Sequence, residues 1–175
     1  MKNIAVIYKS KYGTTKRYAE WIAQELNATL MEGSQVKPSQ LSSYDVVIYG
    51  GGLYASGILG LKLVTENPCK HLIVFTVGLA RPEITDYSSI LEKNFPPELL
   101  AKTKVFHLRG GIDYQKLNLV HKGMMAMMKK MVTKSDGKEV SGDEQAFLET
   151  YGSKADFTDK KMIEPILAYV RGIIE

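Results

Sequence analysis

The chain has 175 residues, 45% of them hydrophobic, with 23 Lys and Arg against 19 Asp and Glu and a formal net charge of +4. That length suits one domain with a real buried core, and the composition is ordinary for a soluble globular protein. A single cysteine, Cys69, excludes an internal disulfide and any cysteine cluster for zinc or iron–sulfur ligation.

No run approaches the ~20 apolar residues that a membrane-spanning helix needs. The first residues lead directly into an expected strand, without a basic region, an apolar stretch and a small-residue cleavage site, so a cytoplasmic protein is expected. The charge is unevenly placed. Lys116, Lys122, Lys129, Lys130 and Lys134 fall in one stretch without an acid, and without those five, 18 basic residues face 19 acidic ones. The basicity therefore belongs to one segment, and no nucleic-acid partner is expected.

In chain order, Ile4-Ala5-Val6-Ile7-Tyr8 has the apolar, β-branched make-up of a strand buried on both faces. Ala19, Ile22, Ala23 and Leu26 then recur at helical spacing, with Glu20, Gln24 and Glu25 on other faces. Between them lies Ser10-Lys11-Tyr12-Gly13-Thr14-Thr15. A loop of small and hydroxyl-bearing residues before a helix reads as a phosphate cradle: Gly13 permits a positive φ, hydroxyls donate, and first-turn amides face the guest. The triphosphate P-loop triplet Gly-Lys-Ser/Thr is absent. The plainer alternative is a helix N-cap supplied by Ser or Thr.

Residues 27–32 read as an edge strand, and Pro38 and Ser39 set up at most a short helix through Leu41. Asp45-Val46-Val47-Ile48-Tyr49 is the next buried strand, expected to end in Gly50-Gly51-Gly52. A short helix is expected to start between Gly60 and Thr65, closed by Asn67-Pro68. Strands at residues 71–77 and 104–108, each ending in glycine, flank a helical stretch around residues 87–94 and a Pro96-Pro97 break. Gly50-Gly51-Gly52-Leu53-Tyr54-Ala55 fits the G-x-G-x-x-A dinucleotide form, but it follows the third strand and lacks an acid about 20 residues later.

Strands alternating with helices predict a parallel sheet covered on both faces, with ligands beyond the carboxyl ends of the strands. Farther on, Leu117, Val120, Met124, Met127, Met128 and Met131 form an apolar stripe with lysines available for the wet side. Such a helix caps the sheet, makes a dimer contact, or meets a membrane or an irregular ligand. Ser135-Asp136-Gly137-Lys138 is a turn candidate, and Thr158-Asp159 is expected to cap a last helix whose Pro165 marks a local irregularity. Trp21 reads as packing, and His71, His107 and His121 are too scattered to be assigned catalysis. No internal repeat or linker divides the chain, so residues 1–175 are expected to form one domain.

With its hydroxyl loop after strand one, glycine-aromatic loop after strand three and glycine turn after strand four, the chain resembles the flavodoxin-like family over most of residues 1–113 and the last helix. The resemblance implies an α/β three-layer sandwich, a five-stranded parallel sheet in the order 2-1-3-4-5, and bound FMN. It would place Ser10, Lys11, Tyr12, Gly13, Thr14 and Thr15 around the ribityl phosphate. Leu53, Tyr54, Ala55, Ser56 and Gly57 would lie against the isoalloxazine ring, with Tyr54 stacked on it and Gly57 permitting a redox-linked peptide rearrangement. Thr76, Val77, Gly78 and Leu79 would follow the pyrimidine side.

Three features depart from the usual pattern. The chain is basic, with Lys9, Lys11, Lys16 and Arg17 around the loop, and the aromatic expected after strand four is absent. An insertion of about residues 114–158 follows strand five. There, Gly110-Gly111-Ile112-Asp113-Tyr114-Gln115-Lys116-Leu117 and the methionine-rich helix are similar to the flavodoxin-like protoporphyrinogen dehydrogenases that pass electrons to menaquinone. That resemblance implies an FMN-dependent oxidoreductase with a porphyrinogen or quinone partner, Gly111 and Asp113 helping to wall the substrate, and peripheral contact with the inner face of the membrane through residues 115–134. The competing readings are an electron carrier between redox partner proteins and a flavin-free interaction module. A homo-oligomer is compatible with any of them.

Overall fold

The computed structural model describes residues 1–116, 122, 123, 126, 127, 129, 130, 149 and 151–175. Its centre is a parallel sheet of β1 (Ile4–Lys9), β2 (Thr29–Glu32), β3 (Val46–Tyr54), β5 (Leu72–Gly78) and β6 (Lys104–Arg109), in the order β2-β1-β3-β5-β6, with β4 (Gly57–Ile58) antiparallel on the end of β3. Counting the parallel strands alone, the order is the expected 2-1-3-4-5.

Alternation within each strand feeds two cores. Val6, Ile48, Ile73 and Phe75 point to one face, where α1 (Thr14–Leu26) and the last helix, α5 (Glu164–Ile174), cover them with Tyr18, Ile22, Ile166, Leu167 and Val170. Ala5, Ile7, Val47, Tyr49 and Val74 point to the other. That face is covered by shorter pieces: 3-10 turns at Gly33–Gln35 and Pro38–Ser43, α2 (Lys62–Thr65), α3 (Ser88–Asn94) and α4 (Pro97–Leu100). Two-sided burial explains why these strands are continuous apolar runs. Trp21 packs at the margin of the first core, its ring edge-on to Tyr18 at 5.5 Å.

Several local expectations are corrected. Asn27 is the left-handed cap of α1, with φ 48°, so β2 begins only at Thr29. The three glycines do not end β3. Gly50 and Gly51 pair with Tyr8 and Lys9 on one side, and Gly50, Gly51 and Gly52 pair with Phe75, Thr76 and Val77 on the other. A Cβ on Gly50 would lie 2.1 Å from Phe75 Cζ, so the ring itself requires glycine there.

Pro96-Pro97 opens α4 rather than merely breaking the chain, because proline in a first helical turn has no N–H to leave unsatisfied. The same reasoning applies to Pro165, which sits in the first turn of α5. Asp159 does act as a cap, but of a 3-10 turn, Lys160–Ile163, leading into α5, where its side chain accepts from Lys161 N–H. Beyond Gly110, β7 (Gly111–Asp113) pairs antiparallel with β8 (Lys154–Asp156), a ribbon not foreseen in the sequence. The turn candidate at 135–138 and most of the methionine stripe lie outside the described residues.

Candidate functional site

Sheet order reverses between β1 and β3, and the loops that follow β1, β3 and β5 meet at that end. Gly13 caps α1 with φ 99° and ψ −13°, no side chain caps the helix, and its first turn contains no acid. The Ser or Thr N-cap alternative is therefore not what the chain adopts: Ser10 Oγ instead accepts from Gly13 N–H at 3.0 Å, folding the loop on itself. A Cβ on Gly13 would meet nothing within 4 Å, so the space before the helix is open. With left-handed backbone at Gly13, no side-chain cap on the first turn and the hydroxyls of Thr14 and Thr15 beside it, the loop could hold a phosphate group.

Cations beside this loop pair with carboxylates. Lys9 pairs with Glu32 at 3.0 Å, Lys16 with Glu20 at 3.8 Å and Arg17 with Asp156 at 2.8 Å. Lys11 lies 4.8 Å above the Tyr54 ring, which joins the phosphate loop to the hairpin after β3. Tyr12 is exposed at the tip.

That hairpin is a two-residue turn: Tyr54 pairs with Gly57, while Ala55 and Ser56 take φ of 47° and 59°. Positive φ thus falls at Ala55 and Ser56, and Gly57 lies within β4. Leu53 packs over Gly78, where a Cβ would come 2.9 Å from Leu53 Cδ1. Thr76 and Val77 lie within the end of β5, paired with Gly51 and Gly52 on one side and His107 and Leu108 on the other, and both are buried. Leu79 accepts through its carbonyl from Arg109 Nε at 2.9 Å.

Sequence reasoning missed the residues that hold these loops. Thr76 Oγ1 shares a 2.6 Å hydrogen bond with His107 Nδ1, and the Tyr87 ring stacks on the imidazole at 3.6 Å. Burial lowers His107 to about 4, so the ring is neutral at pH 7. Tyr18 donates to Arg109 C=O at 2.6 Å and accepts from Asp159 N–H at 3.2 Å, and burial raises its pKa. The signal for His107 was its place two residues before the end of β6, beside the buried Thr76 of β5.

The ribbon of β7 and β8 stands against the phosphate loop. Between them is a cleft of 430 Å³ whose lining includes Lys11, Tyr12, Arg17, Asp113, Lys116 and Lys154. Arg17 is tied to the ribbon through Asp156 and also donates to Thr158 Oγ1 at 2.9 Å. Lys122 and Lys129 lie over the rings of Tyr114 and Tyr151 at 5.8 and 4.2 Å. Among the described residues no acidic, histidine or cysteine cluster could hold a metal, and no helix is long and apolar enough to cross a membrane.

The model of the flavodoxin domain matches residues 5–139, more than half of the chain. The chain belongs to the flavodoxin domain family. As a flavodoxin domain it is similar in structure to oxidised flavodoxin 2 from Bacillus cereus, at 18% identity and a TM-score of 0.46, over 61% of this chain and 84% of that one. It is similar also to the Trp repressor binding protein from Bacillus subtilis, at 19% identity and 0.45, over 62% and 85%. A flavoprotein in complex with FMN from Lactobacillus acidophilus matches at 14% identity and 0.43, over 62% and 93%. Comparison with curated protein sequences gives no match.

Proposed function

We propose that this flavodoxin domain is an FMN-dependent oxidoreductase that takes electrons from a porphyrinogen and delivers them to a quinone. FMN is the cofactor of the flavodoxin type, and the residues present fit it. The open space before Gly13, the uncapped first turn of α1 and the hydroxyls of Ser10, Thr14 and Thr15 suit the phosphate, and Tyr54, with Lys11 over its ring, is the aromatic at the neighbouring hairpin.

FMN, when bound, accepts two electrons and a proton as a hydride equivalent from the reduced substrate and passes them to the acceptor. The protein's part is binding and placement. Backbone amides at residues 14 and 15 hold the phosphate, the backbones of residues 53–57 and 76–79 flank the ring, and neutral His107 fixes Thr76 so that the second of these segments keeps its shape.

The cleft between the phosphate loop and the ribbon carries the enzyme reading. Its 430 Å³ falls within the ~300–1,000 Å³ typical of small-molecule sites, and its lysines suit a substrate bearing carboxylates. A carrier that docks protein partners has no need of such a wall. In this reading residues 115–134 bring the site to the inner face of the membrane, where a quinone resides, and the protein is otherwise cytoplasmic.

Purified protein with FMN added should show a flavin absorbance envelope that bleaches anaerobically with a protoporphyrinogen and recovers with a menaquinone analogue. FMN that binds and ignores both would make the protein an electron carrier. No FMN binding would overturn the cofactor reading.

A further inference from the structure

The tip that joins β3 to β4 consists of Ala55 and Ser56, both left-handed. This type I′ geometry favours Asn-Gly, and neither residue is glycine, so the surroundings must hold it. The restraint comes from the end of α3. Asn94 Nδ2 donates to Ser56 C=O at 2.9 Å and to Ile90 C=O at 2.8 Å, while Asn94 Oδ1 accepts from Ile58 N–H at 3.2 Å. Two backbone acceptors and one backbone donor fix which end of the amide is oxygen. Lys93 Nζ donates to Ser56 Oγ at 2.9 Å, and Ser56 Oγ donates to Ala55 C=O at 2.7 Å. Both carbonyls at the tip therefore already accept protein hydrogen bonds.

We propose that Asn94 is a positioning residue for the flavin, holding the Ser56 carbonyl so that the cofactor takes up its two electrons together rather than singly. The inference rests on the FMN reading above. Adding one electron and one proton to a flavin places the proton on N5, which then seeks an acceptor. A tip carbonyl free to turn would accept it and favour the one-electron stage; a carbonyl tied to Asn94 must first surrender that bond. Paired electron uptake is what hydride chemistry requires, and a single-electron shuttle would gain from the opposite arrangement.

The test compares the unmodified protein with Asn94→Ala and Lys93→Met. In flavin-free protein, the Ile58 amide should exchange with solvent at least tenfold faster in Asn94→Ala; unchanged exchange would overturn the clamp. In FMN-loaded protein, anaerobic potentiometry should show at least a tenfold rise in the equilibrium constant for comproportionation of oxidised with fully reduced protein. That corresponds to about 59 mV in the separation of the two one-electron potentials. Lys93→Met should shift it in the same direction by less. Faster exchange with an unchanged constant would overturn the redox role. Should Asn94→Ala not fold, Asn94→Asp keeps the acceptor for Ile58 N–H and removes only the donor to Ser56, so it is read by potentiometry alone: the same tenfold rise is expected, and an unchanged constant would overturn the redox role. Failure of the unmodified protein to bind FMN would overturn the cofactor reading and this inference with it, whereas the other failures leave the cofactor reading intact.

Discussion

Arg17 and Asp156, 139 positions apart, meet in a 2.8 Å ion pair that ties the second turn of α1 to β8. It brings the far side of the insertion against the phosphate loop. Hydrogen bonds from Thr158 Oγ–H and N–H, followed by that from Arg17, hold the Asp156 carboxyl down to about 2. Both side chains are roughly half exposed, so Arg17→Ala should cost under about 1 kcal/mol at pH 7 in urea unfolding. Because the folded pKa is depressed, the contribution of Asp156 is present above the unfolded value near 3.8 and fades as pH falls toward 2. The cost of Arg17→Ala should fade over the same window. A cost that persisted at pH 2 would mean that Arg17 acts through packing instead.

His107 gives a pH dependence in a different window. Its folded pKa of about 4 lies below the ordinary 6.5, so the unfolded chain binds a proton first as pH falls. Stability should drop between pH 6.5 and 4, by at most ~3 kcal/mol, and show no further loss from this group below 4. An NMR titration of the imidazole checks the cause directly: a midpoint near 6.5 would remove it.

Gly13 and Gly50 are both needed, for unlike reasons. Gly13→Ala meets no atoms but must adopt φ 99°, so it should cost about 1–2 kcal/mol from backbone strain and weaken FMN binding. Gly50→Ala drives a Cβ into the Phe75 ring and should cost about 1–3 kcal/mol or more, with Phe75→Leu recovering part of it. Equal rescue of both variants by Phe75→Leu would contradict this division.

Ala55, with φ 47°, should accept glycine with a net gain of about 0.5 kcal/mol. Relief of ~1–2 kcal/mol of left-handed strain exceeds the ~0.4–1 kcal/mol of added freedom in the unfolded chain. Thermal unfolding of Ala55→Gly measures it, and a lower midpoint would show that the tip is unstrained.

The chain's own residue pattern determined the sheet and the turn at Gly13 that opens α1. Apolar runs such as Val46-Val47-Ile48-Tyr49 can be buried on both faces only in a parallel sheet between layers, and Gly13 before a helix is legible because positive φ and free first-turn amides are local properties. What tertiary structure decided is where side chains from distant segments converge. The Gly50-Gly51-Gly52 run looked like a strand end because nothing local reveals the Phe75 ring that occupies the missing side chain's place. The ribbon of Gly111–Asp113 with Lys154–Asp156, the Asn94 clamp on Ser56 and the burial that keeps His107 neutral all join residues at least 31 positions apart. Periodicity and capping act within a turn or two of chain; hydrogen bonds and desolvation across the fold exist only once the sheet has brought their partners together.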